Sequence, residues 1–315
     1  MSQEIIERTL SVEGSPSLHL SNIRGSVNIQ PGDEGVITIS AVKHTDSGNS
    51  KKTLIEIDQK NEQQVTIKTH FDEKAWGLFG NGKPCKVDYS LLVPHSSSLK
   101  LNCVSSAASI TDLEGEFSLN TVSGGFNLSK LSGPVTVHSV SGNINAENLK
   151  GPLRVEMVSG RVRANDCRFA ETNCQTVSGH ISLETPLNEE RYRFKSVSGH
   201  ITLIVPEDAN VTATLKSMSG RLETSLPTTH SSRKRGIWHT KLGADGGSEV
   251  RAESISGNMV IVTSEEEITN AKAVTTSESG NSNDSANDFG KAMHVLERIE
   301  NGELTVNEAL EELRS

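Results

Sequence analysis

The side chains best suited to chemistry in this sequence recur at one phase of a repeat. One residue after a series of glycines stand Arg161, His180, His200 and Arg221. If the repeats stack as rungs, these four form one outward column at the inter-strand spacing of ~4.8 Å. Imidazoles gain charge as pH falls through their range, so the column could hold an anionic polymer or a lipid headgroup. A solvated polar ladder is the plain alternative. His180 and His200 have no carboxylate or thiol placed to complete a metal site. Glycan hydrolysis needs two carboxyl groups about 5 to 9.5 Å apart on one face. The outward positions three residues after the glycines read Asn127, Asn145, Arg163, Ser182, Thr202 and Glu223, with no such pair. The sequence also lacks a Ser-His-Asp signature, a phosphate loop and a dinucleotide fingerprint. These observations point away from an enzyme: no catalytic residue, no metal and no cofactor is expected.

Three other segments stand out. The run 71–82 (FDEKAWGLFGNG) concentrates Phe71, Trp76, Leu78 and Phe79 in a chain only 3% aromatic. It reads either as a tip for a partner or membrane interface, or as a hairpin folded over the end of the fold. Arg233, Lys234 and Arg235 form a basic triplet read as a solvated loop that could touch phosphate. Cys167 and Cys174 fall at inward phases and read as buried small hydrophobes, whereas 243–247 is a weak single echo of a calcium-binding repeat.

The elements that must position these residues follow from self-similarity. An apolar-Ser-Gly tripeptide ends at Gly124, Gly142, Gly160, Gly179, Gly199, Gly220 and Gly257, at intervals of 18, 18, 19, 20, 21 and 37. The last interval is about two periods and implies a turn that lost its signature or was replaced by an insertion. A second series, Gly115, Gly133 and Gly151, marks another corner in each period. Two residues after each signature glycine stand Phe126, Ile144, Val162, Ile181, Ile201, Leu222 and Met259. Such alternation with polar neighbours makes short half-buried strands, and equivalent apolar phases in successive periods bury one continuous core. The expected fold is all-β, a single-stranded β-solenoid with about 18–21 residues per turn. Glycine suits the corners through its access to positive φ.

Residues 1–104 read as less regular N-terminal rungs plus a cap, and 105–263 as the regular solenoid. Residues 264–287 read as a flexible linker, and 288–315 as a helical hairpin. The hairpin's apolar stripe is Val295, Leu296, Ile299, Leu304, Leu310 and Leu313, with Thr305 to Glu308 as a capping box. A unit this small must dock, either on a protein partner or on a second copy. With 31 basic against 40 acidic residues the chain carries a net charge of −9, which argues against a nucleic-acid partner. The first residues lack the basic start and apolar core of a secretion signal, so a cytoplasmic location is expected, with membrane association left open.

The Val-Ser-Gly ladder, the 91–94 run (LLVP) and the closing 246–257 segment (GGSEVRAESISG) together resemble the bacterial putative-adhesin β-solenoid family, whose relatives include YvlB-like and LiaX-like proteins. Residues 292–313 (AMHVLERIENGELTVNEALEEL) resemble a SHOCT-like helical hairpin, here C-terminal rather than N-terminal. The resemblance implies a non-catalytic bacterial scaffold or binding protein linked to envelope stress or regulation. An exported adhesin binding carbohydrate or cell surfaces is one alternative, and a polysaccharide-acting enzyme is another.

Overall fold

A computed structural model describes residues 2–71, 83–187, 191–243 and 247–273. Its contacts divide the chain into two units, 1–151 and 152–315. The boundary expected at 104/105 falls instead inside an unbroken strand, Ser98–Glu114. Among the described residues there is no α-helix, and no helix is long and apolar enough to cross a membrane. Each unit is a β-solenoid.

The strands of the first unit are β1 (Gln3–Ser11), β2 (Ser17–Pro31), β3 (Val36–His44), β4 (Thr53–Asn61) and β5 (Gln64–Phe71). They continue with β6 (Lys86–Val93), β7 (Ser98–Glu114), β8 (Phe117–Thr121), β9 (Phe126–Ser132) and β10 (Val135–Glu147). Parallel ladders run β2–β7–β8–β10 on one side and β2–β7–β9–β10 on the other. The rung formed by β5 and β6 pairs parallel with the far side of β2, although it follows β2 in sequence. That end is covered by antiparallel strands, β4 on β5, β3 on β6 and β1 on β3.

The second unit takes up β11 (Lys150–Asn165) and continues through β12 (Arg168–Thr176), β13 (His180–Glu184), β14 (Arg191–Ser196) and β15 (Ile201–Ile204). Then follow β16 (Val211–Ser217), β17 (Leu222–Thr224), β18 (Thr228–Lys234), β19 (Ile237–Leu242), β20 (Ser248–Ser254), β21 (Met259–Val262) and β22 (Lys272–Ala273). One side stacks β12, β14, β20 and β16 in parallel, then β19 and β18 antiparallel. The other side stacks β11, β13, β15, β21 and β17 in parallel, then β22 antiparallel. The 37-residue interval is thereby explained. A hairpin, β18–β19, is inserted after the β16/β17 rung, and the chain then returns to slide β20/β21 between that rung and β14/β15.

Inward phases stack as expected: Ile181, Ile201, Met259 and Leu222 are buried in successive rungs, each contributing roughly 1.5–3 kcal/mol of apolar burial. The signature glycines, however, are not there for positive φ; among the seven only Gly160 has it. They are there because the rungs touch. A Cβ on Gly199 or Gly257 would lie 1.9 Å from the carbonyl oxygen of Gly179 or Gly199, respectively. Left-handed backbone belongs to the other corner, where Asp112, Lys130 and Asn148 adopt φ of 57, 55 and 56°, each three residues before Gly115, Gly133 and Gly151.

Residues 264–273, the first part of the segment expected as a linker, belong to the fold. A 3-10 helix, Glu265–Asn270, and β22 extend the ordered fold to Ala273. The Glu267 carboxylate accepts hydrogen bonds from the Ser225 and Thr263 hydroxyls, Glu265 pairs with Arg163, and Ala271 packs against Ile204, Val260 and Val262. Local composition looked like linker because these anchors are long-range. Residues 274–287 and the expected hairpin, with Val295, Leu296, Ile299, Leu304, Leu310 and Leu313, lie outside the described residues.

Candidate functional site

The corner of the second unit is built on a repeated hydroxyl. Three residues before the glycine, a Ser or Thr side chain accepts the glycine's backbone N–H. The bonds are Gly179 to Thr176 Oγ1 at 2.8 Å, Gly199 to Ser196 Oγ at 2.7 Å, Gly257 to Ser254 Oγ at 2.6 Å and Gly220 to Ser217 Oγ at 2.8 Å. Each of these hydroxyls is buried, so the motif is [ST]-x-S-G, one position longer than the tripeptide read from the sequence. The signal was visible as a fourth recurring column, but its role as an acceptor shows only once the turn is folded.

That corner fixes the residue that follows the glycine, pointing outward. Arg161 pairs in register with His180, and the His180 and His200 rings stack with centroids 5.2 Å apart and planes at 27°. The next rung contributes Asn258, not Arg221. Ile201 N–H donates to the Asn258 carbonyl, and Arg221 N–H donates to Asn258 Oδ1 from one rung further on. The column expected as four consecutive periods is therefore Arg161, His180, His200, Asn258, Arg221. The cause is the return of the chain, which threads the last rung in sequence between two earlier ones. All four charged members are exposed.

Burial, then the neighbouring His200 and Arg161, push the His180 imidazole below its ordinary value. Beside this column, Arg163 is engaged by Glu265, and Ser182 and Thr202 complete the adjacent outward row. The arrangement can receive anionic groups: two guanidinium groups bracket two imidazoles and an amide over about 19 Å, four rung spacings.

Elsewhere the structure brings together groups that sequence spacing did not join. Asp88 on β6 accepts from the Ser26 hydroxyl at 2.7 Å and the Ser26 N–H at 2.8 Å, and its other oxygen meets His44 Nε2 at 2.6 Å. Burial acts to raise the Asp88 carboxyl, but the bonds from Ser26 and His44 outweigh it and hold the carboxyl below its usual value. Serine and histidine both bind the aspartate, so the carboxylate and not the imidazole sits on the serine oxygen, and the order is not that of a Ser-His-Asp triad. This is a clamp between β2, β3 and β6. Among the described residues no three His, Cys, Asp or Glu side chains converge as a metal site.

Of the other candidates, Phe71 ends β5 half-buried, and Trp76, Leu78 and Phe79 lie outside the described residues. Cys167 and Cys174 are buried, as are Cys85 and Cys103. Arg233 and Lys234 belong to strand β18 rather than to a loop, and Arg235 with Gly236 makes its turn.

Two solenoid units that present columns of outward polar side chains on a close-packed glycine corner define a β-repeat protein with a display surface. The chain belongs to the Toastrack DUF4097 family, whose model matches residues 17–262. No curated protein matches the chain. Similar solved structures include a "putative adhesin" from Bacteroides fragilis, at 12% identity, TM-score 0.42, covering 82% of this chain and 97% of that one. A "putative lipid binding protein" from Parabacteroides distasonis is similar at 12% identity and TM-score 0.38, with the same coverage. A "putative cell adhesion protein" from Clostridium sporogenes is similar at 12% identity and TM-score 0.27, covering 82% of this chain and 99% of that one.

Proposed function

We propose that the chain is a non-catalytic binding scaffold of the bacterial cell envelope, acting in envelope stress or its regulation, whose outward column takes an anionic polymer. The observation that carries this reading is the stack Arg161–His180–His200, extended through Asn258 to Arg221 on a rigid corner. Repeated phosphates or carboxylates lying across the rungs would meet a donor at each step. Bound anions favour imidazolium, so affinity rises as pH falls. The side chains facing His180 are Arg161 and His200, and the nearby Arg163 is already held by Glu265. The C-terminal segment, through its apolar stripe, would recruit a protein partner or a second copy to the displayed ligand.

The test is binding of soluble polyphosphate to the full chain by fluorescence anisotropy at low salt, at about pH 5.5 and about pH 8. Binding should be tighter at the lower pH and should fall at least tenfold in the combined variant Arg161→Gln, His180→Gln, His200→Gln, Arg221→Gln. A variant that binds as tightly as the parent chain at both pH values refutes the reading.

A further inference from the structure

The end of the second unit carries a surface that the column does not explain. Strands β16, β18 and β19 are hydrogen-bonded neighbours, and neither they nor the Arg235–Gly236 turn contains a single Asp or Glu. They hold Lys216, Arg233, Lys234, Arg235 and Lys241, with His230 and His239, in a chain whose acidic residues outnumber its basic ones by 40 to 31. Among the described residues of this stack, acidic side chains return on β20, where Arg251 holds Glu249 and Glu253 lies in register with Lys216.

The outer strand of the hairpin, β18, stands clear of the core, whereas β19 buries Trp238, Thr240 and Leu242. Six of the seven β18 residues are exposed, on both faces of the strand, and Arg233 lies over the ring of Trp238 at 4.9 Å. Among the described residues β18 pairs with no strand other than β19, so its outer edge is open. One or two charges of either sign suffice to keep an edge strand from pairing with another chain. Five Lys and Arg with no carboxylate among them exceed that need.

We infer that this hairpin is a docking site for an anionic lipid bilayer. A chain of net charge −9 is repelled from an anionic plane as a whole, but salt limits each charge's reach to about 8 Å. A projecting, acid-free strand such as β18 can engage such a plane while the carboxylates of β20, three strands inboard and about 14 Å away, stay beyond that reach. The hairpin meets this requirement with a strand, β18, that is exposed on both faces rather than recessed. A single soluble chain of phosphates would gain from a groove, whereas a plane of headgroups does not need one. Each Lys or Arg brought to an anionic bilayer surface multiplies affinity by about fivefold.

The experiment is co-sedimentation of the full chain with vesicles of phosphatidylcholine, with and without phosphatidylglycerol, at pH 8 and low or high salt. The expected result is binding to the phosphatidylglycerol vesicles at low salt that is lost at high salt and absent with phosphatidylcholine alone. The variant Arg233→Gln, Lys234→Gln, Arg235→Gln, Lys241→Gln should bind about 600-fold more weakly, at about fivefold per charge. A second variant that spares Arg233 and its contact with Trp238 should still lose at least tenfold, so a folding defect cannot mimic the result. The column variant should bind these vesicles like the parent chain, which separates this site from the polyanion reading. Failure of the parent chain to sediment, or parent-like binding by both hairpin variants, overturns the inference. So does competition by soluble polyphosphate at equal phosphate concentration, which would reassign the hairpin to a free polymer.

Discussion

Replacing Gly199 by alanine puts a methyl group 1.9 Å from the Gly179 carbonyl oxygen and 2.8 Å from Ser196 Oγ. Relief requires the two rungs to part by more than an ångström at the corner. The bonds that hold them there are Ser198 N–H to the Val177 carbonyl at 2.9 Å and Ile181 N–H to the His200 carbonyl at 2.9 Å. The turn's own bond, Gly199 N–H to Ser196 Oγ at 2.7 Å, is strained with them. Weakening three such bonds, two of them at a buried corner, costs about 3–5 kcal/mol at 0.5–1.5 kcal/mol per bond plus the penalty of buried orphans. Gly14 is the control. It has φ +64° but no atom within 4 Å of an added Cβ, so alanine there costs only about 1–2 kcal/mol of left-handed strain. At about 2–4 °C per kcal/mol for a unit of this size, Gly199→Ala should lower the melting temperature on the order of 10 °C and Gly14→Ala by about 4 °C. Circular dichroism melts read the difference, and amide exchange at Ser198 and Ile181 should accelerate only in the first variant. If the two variants melt within about 2 °C of one another, the close-contact account of the signature glycine is wrong.

Further outcomes follow from the same structure. Ser254→Ala removes the acceptor of the Gly257 N–H and should cost about 1–3 kcal/mol, measurable as a shifted urea midpoint, whereas Ser256→Ala on the exposed side of that turn should cost under about 0.5 kcal/mol. Because the folded state depresses the His180 imidazole, neutral His180 supports folding above the ordinary histidine range. That contribution fades as pH falls from about 6.5 through the lower folded value, so stability should decline on acidification and decline less in His180→Gln. Burial pushes the Cys103 thiol up to about 11 and the Cys174 thiol up to about 12. Neither should react with a thiol-specific dye at neutral pH until the chain is denatured, and rapid labelling of the folded protein would contradict the packing.

Alternation at fixed phases made the rungs, their inward residues and the outward column legible, because a solenoid repeats one local conformation and each rung writes the same constraint into the chain. Ile181, Ile201 and Leu222 needed no coordinates to be placed in the core, nor His180 and His200 to be placed side by side. The reason for the glycine was not legible: positive φ and rung-to-rung contact select the same residue, and only the 1.9 Å approach tells them apart. The Ser26–Asp88–His44 clamp joins residues up to 62 apart, and no spacing rule connects them.

What the sequence by itself determined is the rung, since the hydrophobic period and the turn chemistry are local. What only the tertiary structure decided is the order in which rungs stack: β5/β6 lies on the far side of β2, and β20/β21 lies between β14/β15 and β16/β17. All rungs present nearly identical edges, so hydrogen bonding alone does not dictate which follows which. The choice comes from the hairpin inserted before β20 and the strands that close each end, which make the return of the chain more favourable than simple succession. That choice separates His200 from Arg221 by Asn258 and leaves the basic hairpin at the open end.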